Sequence, residues 1–458
     1  MPAKHKRKHS SPLPPPQPKG FLAAVYACLC PSDTFRQLGQ YRTGGRGRPA
    51  TLDGAQLILG LIFHYALVAG TLAQHLHLLF GRRFAESSLS ERRAALPWNV
   101  LARLLSRALR PLARRSCHPD AFFGPWRLTA IDGTQFSLQN TQSILEALPK
   151  ALSRRGKAAF AKLHVCVLLE LGSHQPLALA VGRQGQAEWA LSVGLLSHLS
   201  KGCLLLADRL YGCAAFAAQA LDRCQACGSA FLFRVRSSIK VQVVKRLKDG
   251  SRLVRVPVRD PKKPNRILRS IQVREIRVTV TRSGFQSQTL RLWTSLLDPK
   301  GASARQLAQL YAKRWEHELF YRQLKVELAG SNLLKSQTVE TAAQEVCALI
   351  LVASLVAHQR AQAGNQQHPA HQISFVKTLE LLRPLWLLFA LGEGLLTDSV
   401  AEQIWRRALE FLCTQLKPKK RQRSCCRAVR QPVSKWPRMI TPQYHQGPIE
   451  LTVLPFNQ

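Results

Sequence analysis

Acidic residues are the scarce component of this 458-residue sequence. It contains 26 Asp and Glu against 66 Lys and Arg, which gives a formal net charge of +40 at pH 7. A charge of this size exceeds what solubility requires and is typical of proteins that bind a polyanion. Because 46% of the residues are hydrophobic, the chain can bury two or three domain cores, which excludes a disordered basic tail protein. The composition favours a folded, multidomain nucleic-acid protein and leaves open a ribosome-associated or membrane-surface protein.

The sequence also lacks long apolar runs and a disulfide framework. The runs LILGLIF from Leu57 and CALILVASLVA from Cys347 are shorter than the ~20 residues that span a bilayer, so they predict buried helices and no membrane contact. The N-terminus MPAKHKRKHSS has no apolar h-region, and the 12 cysteines are expected as thiols in a reducing compartment. Cys224 and Cys227 form one CxxC without a second pair at zinc-ligand spacing, and they are either helix-end thiols or zinc ligands.

Charge and periodicity divide the ends of the chain from its middle. Residues 1–20 hold five Lys or Arg and no acid, which predicts a disordered basic arm. Between residues 21 and 115, apolar residues recur at three- and four-residue intervals, which predicts a helical domain that either reads DNA or forms a plain bundle. Residues 411–449 hold nine Lys or Arg and no acid, which predicts a basic, DNA-contacting tail.

Short apolar runs with strand character follow Pro125. They are separated by helical stretches at 188–199 and 212–226, an alternation that predicts a mixed α/β layer with a buried sheet. The runs are RLTAID ending at Asp132, KLHVCVLLEL over 162–171, PLALAVG over 176–182, CLLLAD ending at Asp208, and FLFRVR over 231–236. His164, in KLHV, is interpreted either as a satisfied core residue or as a neighbour of the site.

Two aspartates stand at the ends of two of these strands. Asp132 and Asp208 are each followed at once by a turn-like segment, DGTQ and DRLYG, and ligands of α/β sheets gather at the carboxyl ends of strands. Taken singly, each is either a turn former or a ligand for a hard cation such as Mg²⁺. A third acid on an adjoining helix would make the pair a two-metal site for phosphoryl transfer.

Residues 238–297 have a different character from the apolar strands before them. Apolar and basic residues alternate, with fifteen Lys or Arg against Asp249, Asp260 and Glu275. Period-two alternation predicts antiparallel β structure with a basic face, inserted into the α/β domain, and we interpret that face as a phosphate-contacting surface. Trp293 is either a core residue or a platform on which a displaced base stacks.

The stretch YAKRWEHELFYRQLK places acids among basic and aromatic residues. No Gly or Pro occurs over 304–328, which predicts one long helix. On such a helix Tyr311, Arg314, Glu318 and Lys325 share a face, so that Glu318 is the acid available for chemistry. The alternative is a solvated amphipathic helix with i,i+4 ion pairs.

The other positions of this helix are assigned to packing or to solvent. Trp315, Leu319 and Phe320 are expected to supply the face that packs on the sheet. Glu316 points away from that shared face and is expected to be a surface residue whose replacement by Ala is nearly silent.

Tyr-x₂-Arg-x₃-Glu-x₆-Lys resembles the YREK signature of the insertion sequence four family of bacterial DDE transposases. LTAIDGTQF and LLLADRLYG resemble the two aspartate blocks of that family, with KLHV between them, and the resemblance spans roughly residues 85–360. It implies an α/β fold with an RNase H-like catalytic core of mixed sheet and helices, interrupted by an all-β insertion. A helical N-terminal domain and a helical, basic C-terminal region would flank that core.

The resemblance also implies roles for residues. Asp132, Asp208 and Glu318 would be catalytic and would coordinate two Mg²⁺ ions, which Mn²⁺ can replace. The phosphates of the transposon end would be held by Tyr311, Arg314 and Lys325. The expected activity is binding of double-stranded terminal inverted repeats, cleavage at the element ends, and joining of the 3′-hydroxyls to target DNA. The protein would act as a homodimer in the bacterial cytoplasm, associated with the nucleoid.

Two other functions remain open at this stage. A different RNase H-like nuclease, such as a resolvase, would share the acids but would not need the YREK spacing. A catalytically silent DNA-binding regulator of transposition would not need the three acids. The expected division of the chain is a basic arm at 1–20, an end-binding domain at 21–115, a catalytic core at 116–237 and 298–365, the insertion at 238–297, and a C-terminal region at 366–458.

Overall fold

The computed structural model describes most of the chain between residues 52 and 454. The described ranges are 52–67, 69–153, 156–263, 265–281, 287–365, 367–392, 395–418 and 450–454. The basic arm predicted for 1–20 lies outside them. So do the first part of the predicted helical domain and most of the predicted basic tail, residues 419–449.

Four helices begin the described part, which agrees with the helical periodicity of this segment. Capping boxes start the first two, where Asp53 pairs with Gln56 and Thr71 pairs with Gln74, so two of the free N–H groups at each helix start are satisfied. The helices are α1 Gly54–Ala66, α2 Leu72–Phe80, α3 Glu86–Ala95 and α4 Trp98–Ala108.

A mixed sheet forms the centre of the molecule. In it the first three strands are antiparallel neighbours, and β4 and β5 both run parallel to β1. The five strands lie in the order β3-β2-β1-β4-β5. They are β1 Trp126–Ser137, β2 Lys162–Glu170, β3 Gln175–Val181, β4 Cys203–Ala207 and β5 Ala230–Val235. The mixed sheet with helices agrees with the predicted α/β class.

The basic segment continues this sheet as antiparallel strands. In chain order these strands are β6 Gln242–Arg246, β7 Arg252–Arg259, β8 Ile267–Thr281 and β9 Gln288–Thr294. In the sheet their order is reversed, because β9 pairs with β5 and is followed by β8, β7 and β6. We call β6–β9 the β insertion. A last strand, β10 Glu450–Val453, pairs with the end of β8.

Helices cover both faces of the central sheet. Buried residues of α6 Glu188–Leu195 and α7 Ala214–Ala226 pack on one face, and α10 Val339–Ala363 packs with the N-terminal helices on the other. Three further helices are α5 Gln142–Ala147, α11 Phe375–Leu391 and α12 Asp398–Thr414, and two more, α8 Ala304–Tyr311 and α9 Trp315–Arg322, belong to the segment 304–328. Alternate residues of β1 enter the two cores, which explains why its strand is apolar on both sides.

Helix α10 contains the second apolar run, and at 25 residues it is longer than that run indicated. It is the one described helix that is long and apolar enough to cross a membrane by length and composition, yet 89% of its apolar window is buried inside the fold. Its burial agrees with the interpretation of the run as a core helix.

The long helix predicted over 304–328 is interrupted twice. Helix α8 Ala304–Tyr311 is followed by a 3₁₀ turn at Ala312–Arg314, then by helix α9 Trp315–Arg322, and then by a π-helical segment at Gln323–Leu328. The segment is helical throughout, as predicted, but its helical geometry is not uniform. Propensity excludes Gly and Pro breaks but does not register the tighter and wider turns that tertiary contacts impose.

Candidate active site

Asp132 and Asp208 occupy equivalent places on neighbouring parallel strands. Ile131 of β1 is in register with Ala207 of β4, so the two aspartates are the next residues along each strand. The Asp132 carboxylate accepts a hydrogen bond from the N–H of Gly133 at 2.9 Å, and that of Asp208 accepts from the N–H of Leu210 at 2.7 Å. Local backbone contacts therefore orient both carboxylates. Asp208 directly follows the last residue of β4, as predicted, but β1 continues to Ser137, so the prediction that Asp132 ends its strand was wrong.

Arg314 links the third acid to the first. Its guanidinium donates to Asp132 Oδ2 at 3.3 Å and to Glu318 Oε1 at 2.7 Å. Burial opposes the charge of Arg314, but the hydrogen bond with Glu318 and the nearby acids raise its pKa. The Arg314 guanidinium is thus the cation that joins Asp132 to Glu318, and Asp208 follows the adjacent strand β4.

The carboxyl of Asp132 is a perturbed group. Burial, and then the negative charge of Asp208, raise its pKa to about 7, while Arg314 acts in the opposite direction. Two neighbouring carboxylates resist ionising together unless cations compensate them. An excess of negative charge at the centre of a protein with a large positive net charge is a feature of functional sites.

Tyr311 and Lys325 flank this cluster but contact backbone atoms. The Tyr311 hydroxyl donates to the carbonyl of Ala207 at 3.3 Å, and burial raises the pKa of its phenol to about 12. The Lys325 ammonium donates to the carbonyl of Gln135 at 2.9 Å and lies 5.2 Å from the centre of the Phe136 ring. Both predicted phosphate-binding residues therefore lie beside the strands that carry the aspartates.

Two residues of α9 that the sequence reasoning missed attach the helix to the sheet. The Tyr321 hydroxyl donates to the carbonyl of Asp132 at 2.6 Å. His317 is fully buried, and its Nε2 lies 3.0 Å from the carbonyl oxygen of Val167. The available signal in the sequence was their spacing of four residues, which places both side chains on the same face of a helix. Trp315, expected to pack on the sheet, is instead 57% exposed, because the helix presents His317, Phe320 and Tyr321 inward.

Glu316 is not the surface residue that the sequence suggested. Its side chain is only 16% exposed. Its Oε2 accepts from the N–H of Gly172 at 2.7 Å and lies 3.4 Å from His174 Nε2. Burial alone would raise the pKa of Glu316, but the hydrogen bonds with His174 and Gly172 lower it to about 2. Glu316 therefore fastens α9 to the turn between β2 and β3.

A fourth carboxylate, Glu188 at the start of α6, also lies against the site. A Cβ on Gly133 would fall 2.2 Å from Glu188 Cδ, so the absence of a side chain at 133 makes room for Glu188 beside Asp132. Tyr211 donates to Glu188 Oε1 at 2.7 Å. Gly133, directly after Asp132, and Tyr211, three residues after Asp208, were the sequence signals of this contact.

Burial resolves the alternative that the sequence left for Trp293. Trp293 is a core residue, fully buried, whose indole N–H donates to Glu275 at 2.9 Å. The described cysteines are free, and no metal-binding group includes Cys224 or Cys227 in the described residues. His164 is half-buried, with Nε2 3.3 Å from the Gln135 amide nitrogen.

The donor chemistry of the site suits a hard divalent cation. Its acidic ligand candidates are carboxylates, which Mg²⁺ and Mn²⁺ prefer, and the pKa of Asp132 stays raised beside Asp208 even though Arg314 lies 3.3 Å away. Within the described residues no three acidic, His or Cys side chains stand at metal-holding distances, because the Arg314 guanidinium lies between Asp132 and Glu318.

Comparison with known proteins identifies the family of the chain. The family model of the transposase DDE domain matches residues 125–355, half of the chain. Transposase InsG for insertion sequence element IS4 of Escherichia coli (strain K12) is 24% identical over 316 residues, which cover 68% of this chain and 69% of that protein. The cryo-EM structure of a piggyBac transposase synaptic complex with hairpin DNA is similar over 89% of this chain and 87% of that chain, with 9% identity and a TM-score of 0.44. The chain belongs to the DDE transposases of the insertion sequence four family.

Proposed function

We propose that this transposase binds the terminal inverted repeats of an insertion sequence, cleaves the DNA at the element ends and joins the freed 3′-hydroxyls to target DNA. The observation that carries the proposal is that Arg314 pairs with both Asp132 and Glu318 while Asp208 follows the strand next to that of Asp132, in a chain of this family. Carboxylates so placed are the groups that metal-dependent phosphoryl transfer requires.

The catalytic fold is proposed to be RNase H-like. The strand order β3-β2-β1-β4-β5, with only β2 running against the others, supports this assignment. On this basis the core comprises residues 116–237 and 298–365, the insertion comprises 238–297, and the segments 21–115 and 366–458 are an end-binding domain and a C-terminal region.

The three carboxylates are proposed to hold two Mg²⁺ ions, with Mn²⁺ as a substitute. When bound, such ions activate the attacking oxygen and stabilise the leaving oxygen of an in-line phosphoryl transfer. Asp132, Asp208 and Glu318 supply the oxygen ligands, and their approach requires Arg314 to release Glu318. Arg314 then becomes available to a DNA phosphate, as do Tyr311 and Lys325 once they give up their contacts with backbone carbonyls.

The active assembly is proposed to be a homodimer on two transposon ends in the bacterial cytoplasm. Helix α11 supports this, because one face is buried through Leu379, Leu382 and Trp386 while Leu388 and Leu391 are exposed on the described surface. An exposed apolar helix face in a highly charged protein fits contact with a second copy.

The test is a cleavage assay on DNA that carries candidate inverted repeats. With Mg²⁺ the wild type is expected to nick the ends, and with a chelator it should bind them without nicking. Asp208→Ala and Glu318→Ala should bind the ends with unchanged affinity and cut nothing. Glu402→Ala, which removes an exposed acid on α12, is the matched control and should cut normally.

Other outcomes would identify the two rival functions. Specific binding of the ends by the wild type, without cleavage in Mg²⁺ or Mn²⁺, would replace the proposal with a silent DNA-binding regulator. Cleavage of branched DNA that ignores the repeats would replace it with a different nuclease.

A further inference from the structure

A strongly basic cavity of about 850 Å³ lies on the β insertion beside the acidic site. Its other lining residues are neutral, and none of the described lining residues is acidic or aromatic. Six cationic side chains line it, those of Arg209, Arg234, Lys240, Arg252, Arg277 and Arg291.

One wall of the cavity lies next to Asp208 in the chain. Arg209, on its wall, directly follows Asp208. From there the lining crosses β5 at Arg234 and reaches β9 and β8 at Arg291 and Arg277. Since β1 lies on the opposite side of β4, a strand held at the acids can pass directly into this cavity.

Only part of the positive charge is balanced within the described fold. Glu275 is fully buried and accepts from Arg252 at 2.7 Å and from Arg291 at 2.6 Å, which fixes two of the guanidinium groups. Arg277 is the direct cross-strand partner of Arg291. Like charges opposite one another on a sheet are destabilising, and an anion between them removes the cost.

The size of the cavity suits a single strand of nucleic acid better than a duplex. A space of this volume is about 9 Å on a side if cubic, narrower than the ~12 Å major groove alone, so a duplex does not enter it. Because no aromatic ring lines it in the described structure, bases have no stacking platform, and the cations select phosphates.

We propose that this cavity binds the phosphates of a single-stranded DNA segment that leaves the duplex next to the bond to be cut. The proposal rests on the proposed function, since that function supplies the DNA. It assigns Lys240, Arg277, Arg209 and Arg234 to phosphate contact and gives Arg252 and Arg291 a fixed position through Glu275.

The experiment measures DNA affinity by fluorescence anisotropy without divalent metal, so that the readout is independent of cleavage. One probe is a blunt duplex of the element end, and the second carries a short single-stranded extension beyond the end. The variant Lys240→Ala/Arg277→Ala is compared with Lys245→Ala/Arg255→Ala, which removes two exposed charges of the same insertion that lie outside the cavity lining. Thermal melting confirms that both variants fold.

For the extended probe, the cavity variant is expected to bind about tenfold more weakly. Its plot of log affinity against log salt should be shallower by about 1.4, since each lost single-strand phosphate contact removes ~0.7. The control variant should lose less than half as much affinity for the extended probe. The cavity and control variants should bind the blunt duplex with nearly equal affinity. Methylphosphonate linkages remove the negative charges of the extension. They should weaken wild-type binding about as much as the two substitutions in the cavity do, and the wild type and the cavity variant should then bind this probe equally.

Three results would overturn the inference. Equal losses in the cavity and control variants would mean diffuse electrostatic attraction, and equal losses on both probes would mean contact with the duplex backbone. Full sensitivity of the cavity variant to the methylphosphonate change would mean that other residues hold the extension. Failure of the proposed function is separate, since it would show as absent cleavage in Mg²⁺ whatever the affinities are.

Discussion

Replacement of Glu316 tests whether the acid two residues before Glu318 builds the site without taking part in chemistry. At neutral pH Glu316→Ala should lower the free energy of unfolding by about 2–4 kcal/mol. The pKa of Glu316 falls from 4.5 to about 2 on folding, which corresponds to roughly 3 kcal/mol at ~1.4 kcal/mol per pKa unit. The Gly172 N–H would also lose its acceptor, a cost of about 1–3 kcal/mol that partly overlaps the first.

The sign of the pH dependence follows from the lowered pKa. A carboxyl whose pKa is lower in the folded state stabilises the protein above its unfolded value of 4.5, and this stabilisation is lost as pH falls toward about 2. The difference in stability between wild type and Glu316→Gln should therefore be constant above pH 5 and shrink below pH 4.5. Gln keeps an acceptor for Gly172, so Glu316→Gln should lose about half as much as Ala.

The assay is urea unfolding of the DNA-free protein, followed by intrinsic fluorescence. Glu318→Ala is the matched control, because that side chain is 38% exposed and its ion pair with Arg314 should contribute no more than about 1 kcal/mol. A Glu316→Ala protein that unfolds at the wild-type urea midpoint would refute the reasoning, as would a Glu318→Ala protein that is equally destabilised.

Two further predictions concern close packing and buried charge. Gly212→Ala should destabilise the protein by about 2 kcal/mol or more, because its Cβ would lie 1.9 Å from the carbonyl oxygen of Arg234. Gly194→Ala, in exposed helix with nothing within 4 Å, should stabilise it by about 0.5–1 kcal/mol, and thermal melting of both variants checks the opposite signs. Glu275→Ala should cost about 3–5 kcal/mol in chemical denaturation by removing the fully buried carboxylate that pairs with Arg252 and Arg291, and a cost below 1 kcal/mol would contradict that account.

The strands and the two aspartates could be predicted because a buried sheet constrains its sequence strongly. The apolar runs before Asp132 and Asp208 have the length and composition of strands enclosed on both faces, and the structure places a strand at each. Their adjacency was less accessible, since strand order depends on contacts between distant segments. The register of Ile131 with Ala207 is a property of the folded sheet alone.

Glu316 and Trp315 show where helical periodicity ceased to be informative. A regular helix assigns every residue a face, but the 3₁₀ turn before Trp315 and the π segment after Arg322 shift those faces. Glu316 finds its partners in a turn about 140 residues earlier in the chain, near Gly172, and no local pattern in the sequence encodes that contact. Glu318 was identified correctly as an acid beside Arg314 because that pair is one helical turn apart.

Arg274 and Glu275 are consecutive residues of β8 that face opposite ways, and both are fully buried. Glu275 holds arginines of the basic cavity, whereas Arg274 pairs with Asp249 and donates to the carbonyl of Ala302 at 2.6 Å, where α8 begins. One strand thus joins the cavity to the helical segment that leads to the acids. If DNA binds the cavity as proposed and shifts β8, the contact between Arg274 and Ala302 carries that shift to the residues before α8, and thermodynamic linkage makes such coupling reciprocal. The factor by which DNA in the cavity raises the affinity of the carboxylates for cations is the same factor by which bound cations raise the affinity of the cavity for DNA.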